Sequence, residues 1–198
     1  RQTIRKIQQS TTNPKNSYNE TIKQPAKLES DMMEMKTLGV SSLNHTFDNF
    51  KPNSSTDKAV ALLKELSSGQ AVKQFVLLYG TTGCGKTHLI EATILNWRAH
   101  GTRSLYMTFS EIARSLKSEL RRGGEYYERL FKIYCERKRL IVDDFGMGTT
   151  ESRFEISDLE DIIDMRYRRR YYPDCDLVTI LATNKDIKEL PDRVVSRF

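Results

Sequence analysis

The chain has 198 residues, of which 32 are Lys or Arg and 26 are Asp or Glu, so its formal net charge is +6. This length accommodates one ordinary domain with an appendage, and the charge favours polyanionic partners without the density of a histone-like tail. No apolar run approaches the ~20 residues of a membrane span, and no signal-peptide pattern opens the chain. Three widely spaced cysteines without a C-x-x-C pair argue against a structural zinc site, so we expect reduced thiols and a cytoplasmic protein.

Residues 1–45 predict an N-terminal arm rather than a packed domain. They are rich in Asn, Gln, Thr, Ser and Lys, and their isolated apolar residues follow no sustained period. A short helix is expected over residues 29–39, capped near Ser30 and stopped at Gly39. This helix presents its methionines either to a partner or to its own domain. The arm is therefore predicted to be a partner-binding or flexible segment ahead of a core over residues 46–198.

The core alternates between strand and helix patterns. Apolar runs predict strands in QFVLLYG, SLYMTF, LIVDD and LVTILATN, and helices are predicted over 86–100, 110–122, 126–137 and 156–170. Gly123 and Gly124 separate the second helix from the third. Strands that alternate with helices indicate an α/β fold, a parallel sheet with helices on both faces.

The stretch GTTGCGKT, residues 80–87, matches the P-loop pattern G-x-x-x-x-G-K-[ST] between a predicted strand and a predicted helix. Its glycines let backbone N–H groups approach a polyphosphate without a Cβ in the way. Lys86 is expected to reach the outer phosphates, and the Thr87 hydroxyl to hold magnesium. Cys84 is either a small filler or a thiol that makes binding sensitive to alkylation. The predicted nucleotide-binding residues are Gly80, Thr81, Thr82, Gly83, Cys84, Gly85, Lys86, Thr87 and His88.

Polar residues follow two of the other predicted strands. Asp143 and Asp144 end LIVDD, at the sheet edge where a parallel sheet also delivers the P-loop. Asp143 is expected to bind magnesium directly or through water, and Asp144 to orient or polarise the attacking water. Asn184 could position the same water beside the γ-phosphate. The alternatives are a pair of acids at an ordinary strand end and a turn-forming asparagine.

These motifs, with the closing LPDRVVSRF, resemble the AAA+ class of P-loop ATPases. TFDNF, GCGKTHL, LIVDDFG and LPDRVVSRF stand in the order found in helicase loaders of the DnaC/DnaI type and in the related IstB transposition ATPases. The resemblance covers residues 46–198. It implies ATP or ADP and magnesium as cofactors, Asn184 as a first sensor, and Arg197 as an arginine finger helped by Arg193. The finger would act in trans on a neighbouring subunit, whereas the alternative is a pair of cations that favour a helix C-terminus.

Two features of the family are absent from this sequence. AAA+ proteins carry a small helical lid after the finger, and here it is expected to be absent or truncated. Loaders of the DnaI type also have a zinc-binding N-terminal domain, which residues 1–45 cannot form without cysteines. The partner of the arm therefore stays open.

A basic stripe is predicted on the helix over 110–122. Ile112, Leu116 and Leu120 align on one face at helical spacing. The opposite face carries Arg114, Lys117 and Arg121, to which the adjacent Arg122 is added. The related proteins use this region for single-stranded DNA, and a solvated face is the alternative. The nearby aromatic residues serve either base stacking or, as the favoured interpretation, the core: Phe109, Tyr126 and Tyr127.

The run RYRRRYY, residues 166–172, carries a second set of cations. Acids early in its helix and bases late agree with the helix dipole. The run is therefore interpreted chiefly as helix stabilisation, with a nucleic-acid or subunit contact as the alternative.

The leading hypothesis is an ATPase, stimulated by DNA or a partner, that loads a replicative hexameric helicase onto single-stranded DNA through ATP-dependent self-assembly. The first alternative is an IstB-like transposition helper that acts on duplex DNA. A second is an ATP-switched DNA-binding adaptor that scarcely hydrolyses, against which the tandem aspartates and the arginines argue. A small-molecule kinase is disfavoured because it would leave Asn184 and Arg197 without a role.

Overall fold

A computed structural model describes residues 44–69, 74–146, 153–172 and 175–198. Most of the predicted arm, including the helix expected over 29–39, lies outside these residues. The elements in chain order are α1 (Asp57–Ser67), β1 (Phe75–Tyr79), α2 (Lys86–Ala99), β2 (Leu105–Thr108), α3 (Phe109–Arg122), α4 (Gly124–Glu136), β3 (Arg139–Asp143), α5 (Arg153–Arg169), β4 (Val178–Thr183), a 3-10 turn (Ile187–Glu189) and α6 (Asp192–Val195).

The four strands form one parallel sheet in the order β1-β4-β3-β2. Every residue of β4 is buried, as expected for a central strand covered on both faces. Alternate residues of the strands enter two separate cores: Ile141 joins the side of α1 and α2, while Leu140 and Val142 join the side of α3, α4 and α5. The predicted α/β fold with helices on both faces is confirmed.

The predicted strands and helices of the core are present, with ends that differ by a few residues. Helix α5 begins at Arg153, three residues before the predicted start. Helix α1 was not predicted, although Val60, Leu63 and Leu66 have helical spacing and are buried against α2 and β1. It closes one face of the sheet beside the P-loop helix.

Local chemistry sets the start and end of α3. Thr108 ends β2 and also caps α3, because its hydroxyl accepts the Glu111 N–H at 3.2 Å while the Glu111 carboxylate accepts the Thr108 N–H at 2.8 Å. The chain therefore passes from strand to helix without a loop. Gly123, at φ +138°, then ends α3 and allows α4 to begin at the next residue. Among the described residues, no helix combines the length and apolar character needed to cross a bilayer.

Candidate nucleotide-binding site

The P-loop connects β1 to α2 in the geometry that a phosphate cradle needs. Gly83 and Gly85 have φ of +81° and +97°, and Gly85 immediately precedes the first turn of α2. A Cβ on Gly85 would lie 2.6 Å from the ring of Phe50. Glycine is thus required there both by backbone conformation and by space. The first N–H groups of the 14-residue α2 lack partners in their own helix and can bind an anion.

Lys86 links the P-loop to the end of β4. Its Nζ donates to the carbonyls of Gly80 at 2.9 Å and Thr81 at 3.0 Å, and also to Oδ1 of Asn184. The structure therefore brings together the predicted phosphate-binding lysine and the predicted sensor, which are 98 positions apart. The Cys84 sulfur lies 3.7 Å from the same amine.

Asp143 is the buried centre of the acidic site. The Thr87 hydroxyl donates to its Oδ2 at 3.2 Å, and the backbone N–H of Asp144 donates to its Oδ1 at 2.8 Å. The two predicted magnesium ligands, Thr87 and Asp143, are thus adjacent. One more residue was missed by sequence reasoning: the Tyr106 hydroxyl donates to Oδ2 of Asp143 at 2.9 Å.

Tyr106 reaches Asp143 because of its place in the sheet. It lies on β2, beside β3, and points to the same face as Ile141 and therefore as Asp143. Burial, and then the charge of Asp143, raise the pKa of the tyrosine hydroxyl well above its usual range, so it stays a donor. A polar aromatic two residues before the end of a strand was the only signal available in the sequence.

Asp144 differs from its neighbour in exposure and in backbone conformation. It is exposed, whereas Asp143 is buried, and its φ of +54° lies in the left-handed region, where the chain turns away from the strand. Although the residue is exposed, partial desolvation of its carboxyl and the charge of Asp143 raise its pKa, while Lys86 opposes them. A carboxylate with raised basicity beside the phosphate cradle can accept a proton from water.

The oxygen atoms of Thr87 and Asp143 fit magnesium. Magnesium takes hard oxygen ligands and is usually held by one or two protein groups together with phosphates and water. Over the described ranges, no group of three or more His, Cys, Asp or Glu side chains could hold a metal by itself. A magnesium ion held there would supply positive charge to offset the charge that develops on the phosphates.

The segment 44–50 packs against the start of α2. The His88 ring stacks on His45 at 4.4 Å between centroids, and its Nε2 contacts the Thr46 carbonyl and Oδ1 of Asn49, each at 3.0 Å. Nδ1 of His45 in turn meets the buried carboxylate of Glu91 at 2.5 Å. The side chain of His88, predicted with the cradle, thus contacts this segment of the protein.

The two closing arginines are held by α5. Arg197 donates from Nε at 3.0 Å and is paired from Nη2 at 2.8 Å, both to Oδ1 of Asp164. Arg193 pairs with Asp161 at 2.8 Å and more distantly with Glu160 at 3.5 Å. Within the described part of the chain, the ion pairs of both arginines are with α5 and not with the P-loop of the same subunit.

The predicted basic stripe is exposed on α3. Ile112 and Leu116 are buried as the helical spacing indicates, but Leu120 is 44% exposed and lies beyond the core. The stripe consists of Arg114, Lys117, Arg121 and Arg122, all of them exposed. The Arg122 guanidinium pairs with Glu119 and lies 4.5 Å from the ring centre of Tyr126.

The aromatic residues around α3 divide between the core and the surface. Phe109 is buried edge-on against Phe145, with ring centroids 5.3 Å apart. Tyr127 is half-buried and donates to Asp158 at 2.7 Å. The favoured core interpretation thus holds for Phe109 and in part for Tyr127, whereas Tyr126 is 42% exposed.

The run RYRRRYY contains one fully buried cation. Arg166 has no exposed surface, so it is unavailable for a nucleic-acid or subunit contact. Its guanidinium donates to the Thr179 hydroxyl and to carbonyls at the C-terminal end of α4. A cation at a helix C-terminus is favoured by the helix dipole. Here the cation belongs to α5 and the helix C-terminus to α4.

The sequence matches the family described as IstB-like ATP binding protein over residues 9–190. Among curated proteins, it is 27% identical over 166 residues to the chromosomal replication initiator protein DnaA 1 of Chlamydia trachomatis, a match over 78% of this chain and 34% of that protein. The chain therefore spans about a third of the length of this relative.

Two solved structures share the fold. The replication initiator DnaA bound to AMPPCP and single-stranded DNA has a TM-score of 0.67 at 22% identity, over 79% of this chain and 47% of that one. The DnaC helicase loader has a TM-score of 0.64 at 22% identity, over 78% of this chain and 92% of that one. The sequence match extends over most of the chain and includes the P-loop and the tandem aspartates, and this protein therefore belongs to the family of IstB-like ATP binding proteins.

Proposed function

We propose that this protein is an ATPase that hydrolyses ATP to ADP and phosphate and couples ATP-dependent self-assembly to loading of a replicative hexameric helicase onto single-stranded DNA. The observation that carries the ATPase assignment is the convergence of separate elements at one edge of the sheet. Lys86 of α2 meets Asn184 after β4, and Thr87 of α2 meets Asp143 of β3. Four predicted site residues from three parts of the chain thus form one polar site.

The side chains divide the chemical work by their surroundings. Lys86 already has its amine at the P-loop carbonyls and can exchange them for the outer phosphates. Thr87 and Asp143 would hold magnesium. Asp144, exposed and with a raised pKa, would accept a proton from the attacking water, which the Asn184 amide would orient.

Arg197 is proposed to complete the site of a neighbouring subunit, with Arg193 as a helper. A fixed cation beside the γ-phosphate stabilises charge that develops in the transition state, and an arginine supplied in trans can raise the rate by orders of magnitude. Both side chains form ion pairs with acids of α5 in their own subunit and do not reach their own P-loop. Hydrolysis would therefore depend on assembly.

The stripe on α3 is proposed to contact the DNA backbone. Its four exposed cations are presented by one helix, and within the part of the chain that the structure describes their one ion pair is that of Arg122 with Glu119. Repetition of the stripe in successive subunits would produce sequence-tolerant, salt-sensitive binding to single strands. The related DnaA structure contains single-stranded DNA, which supports this choice of ligand. Residues 1–45 are proposed to engage the helicase.

Membership of the IstB-like family favours a second candidate function, delivery of a transposase on duplex DNA. Both candidates require the same ATPase residues. The experiment that separates them is co-purification of the full chain with a hexameric helicase and, in parallel, with a transposase. Retention of the transposase alone would reject the loader assignment.

The ATPase assignment is tested by mixing two inactive variants. Lys86→Ala removes the phosphate contact but leaves the finger, and Arg197→Ala removes the finger but leaves the cradle. Each variant alone should lose ATP hydrolysis, and their mixture should recover part of it at concentrations where subunits assemble. Full activity of Lys86→Ala would reject the site, and absence of recovery in an assembled mixture would reject action in trans.

A further inference from the structure

One buried carboxylate holds the Arg197 guanidinium in a defined orientation. Asp164 is 5% exposed. Its Oδ1 accepts a hydrogen bond from Nε of Arg197 at 3.0 Å and forms an ion pair with Nη2 at 2.8 Å, and its Oδ2 pairs with Arg168 at 2.7 Å. The Arg197 guanidinium also lies 4.7 Å from the ring centre of Tyr167. A carboxylate along one edge and an aromatic ring nearby restrict both the direction and the rotation of the planar group.

The contacts leave one end of the guanidinium for another molecule. Nε and Nη2 are engaged, whereas Nη1 of Arg197 makes no hydrogen bond or ion pair within the residues described, and the side chain is 29% exposed. Arginine carries five N–H donors in a rigid fork. Binding along the Nε edge therefore leaves donors at the far end, where a phosphate oxygen of a neighbouring subunit could accept them.

The charges around Asp164 allow it to orient the Arg197 guanidinium without binding it too strongly. Its second oxygen is already neutralised by Arg168, so the carboxylate is shared and its grip on Arg197 is weakened. Arg193 pairs with Asp161 at 2.8 Å and lies 3.8 Å from Oδ2 of Asp164, and Val194 between the two arginines is fully buried. The backbone of α6 is therefore anchored chiefly by contacts other than the Arg197–Asp164 pair.

We propose that Asp164 is a positioning residue for the arginine finger, which orients Arg197 toward the nucleotide of the next subunit before that subunit arrives. This inference rests on the proposed action of Arg197 in trans. An unrestrained arginine side chain loses rotamer entropy when it is ordered. An arginine already ordered by Asp164 and Tyr167 does not lose that freedom again in the transition state.

The mixed-subunit assay isolates this role from the subunit's own active site. Donor subunits carry Lys86→Ala and cannot hydrolyse ATP, and acceptor subunits carry Arg197→Ala. Asp164→Asn is added to the donor only, so every ATP that is hydrolysed lies in an acceptor with an unchanged cradle. We expect kcat at saturating donor to fall about tenfold or more, because a misplacement of ~1 Å at a reacting centre can cost about a hundredfold. The donor concentration for half-maximal recovery should change by less than about twofold.

Two further variants of the donor subunit serve as controls for this result. Asp164→Glu keeps the charge but displaces the carboxylate by one methylene, and it should also lower kcat if position matters. Asp158→Asn removes a buried aspartate six positions earlier on α5, which accepts from Tyr127, and it should leave recovery unchanged. Thermal unfolding of each donor subunit verifies that it is folded. If Asp164→Asn does not fold, Asp164→Glu takes its place as the test variant.

Each outcome has a distinct meaning. Loss of kcat with unchanged half-saturation supports positioning. Unchanged kcat would overturn the proposal and leave Asp164 with a structural role only. A higher kcat would also overturn it, because the contact would then restrain the finger. No recovery with the parent donor would overturn action in trans and the role of Asp164 with it.

Discussion

Replacement of Arg166 by alanine is expected to lower the free energy of unfolding by about 3–5 kcal/mol. The guanidinium is fully buried, and it makes its hydrogen bonds with one hydroxyl and with backbone carbonyls. Its nitrogens donate to Thr179 Oγ1 at 2.8 Å and to the carbonyls of Val178 at 2.8 Å, Arg137 at 2.7 Å, Tyr134 at 3.0 Å and Cys135 at 3.3 Å. These contacts join α5 to α4 and to the start of β4.

The magnitude follows from the contacts once the burial of the charge is included. Five hydrogen bonds to a charged donor, at ~1.5–3 kcal/mol each, would sum to about 7–15 kcal/mol, which is as much as a whole domain usually has. Three of the carbonyls share the single nitrogen Nη1, so the bonds are not independent. Burial also lowers the pKa of Arg166 to about 10, which indicates a cost for the charged form that alanine would not have. The net expectation therefore lies well below the sum.

Urea unfolding followed by circular dichroism measures this loss. Arg168→Ala is the matched control, because Arg168 is 72% exposed on the same helix with one ion pair to Asp164, and it should cost less than about 1 kcal/mol. Arg166→Lys keeps a charge but offers one nitrogen in place of three, so its free energy of unfolding should lie between those of Arg166→Ala and Arg168→Ala. A loss of about 1 kcal/mol or less is expected only for the control Arg168→Ala. A loss this small for Arg166→Ala would refute this account of the buried cation.

Three further predictions concern the site and the stripe. Tyr106→Phe removes the hydroxyl that holds Asp143 and should weaken binding of Mn²⁺ with ADP about tenfold, measured by electron paramagnetic resonance; an unchanged affinity would contradict a positioning role. ATP should slow iodoacetamide labelling of Cys84. Cys135 is buried and its pKa is raised to about 11, so it should react at pH 8 only in denaturant. Labelling of Cys84 at the same rate with and without ATP, or of native Cys135 as fast as Cys84, both followed by mass spectrometry, would count against the corresponding assignment. Serine in place of Arg114, Lys117 and Arg121 should reduce the salt slope of single-strand binding by about 2, and an unaltered slope would remove the stripe from the DNA site.

The fold and much of the site were predictable because their signals are local. The P-loop pattern spans eight residues, and its glycines have the backbone conformations that the pattern demands. Asp143 and Asn184 could be located because parallel strands end at a common edge. The break between α3 and α4 was likewise visible in the adjacent Gly123 and Gly124, of which Gly123 has the positive φ. In these cases the chemistry of a few adjacent residues determines the local structure.

The residues that were missed depend on contacts between distant parts of the chain. Tyr106 reaches Asp143 only because β2 lies beside β3, and Arg166 is buried only because α5 crosses the end of α4. A run of arginines gives no indication which member faces inward. Leu120 shows the opposite error, because helical spacing places it on the apolar face while the neighbouring elements end before covering it. Strand order and the length of the covering elements are tertiary properties.

One strand and one helix connect the candidate nucleotide site to the proposed finger, Arg197. Arg166 ties α5 to Val178 and Thr179 at the start of β4, and the residue that follows the other end of β4, Asn184, contacts Lys86. Asp164, two positions before Arg166, holds Arg197. The proposed finger and the cradle of one subunit are therefore both tied to β4 and α5. Asn184 is also joined to Arg197 directly along the chain, through the 3-10 turn and α6, so a change in how Asn184 meets the nucleotide has two connections by which it can reach Arg197.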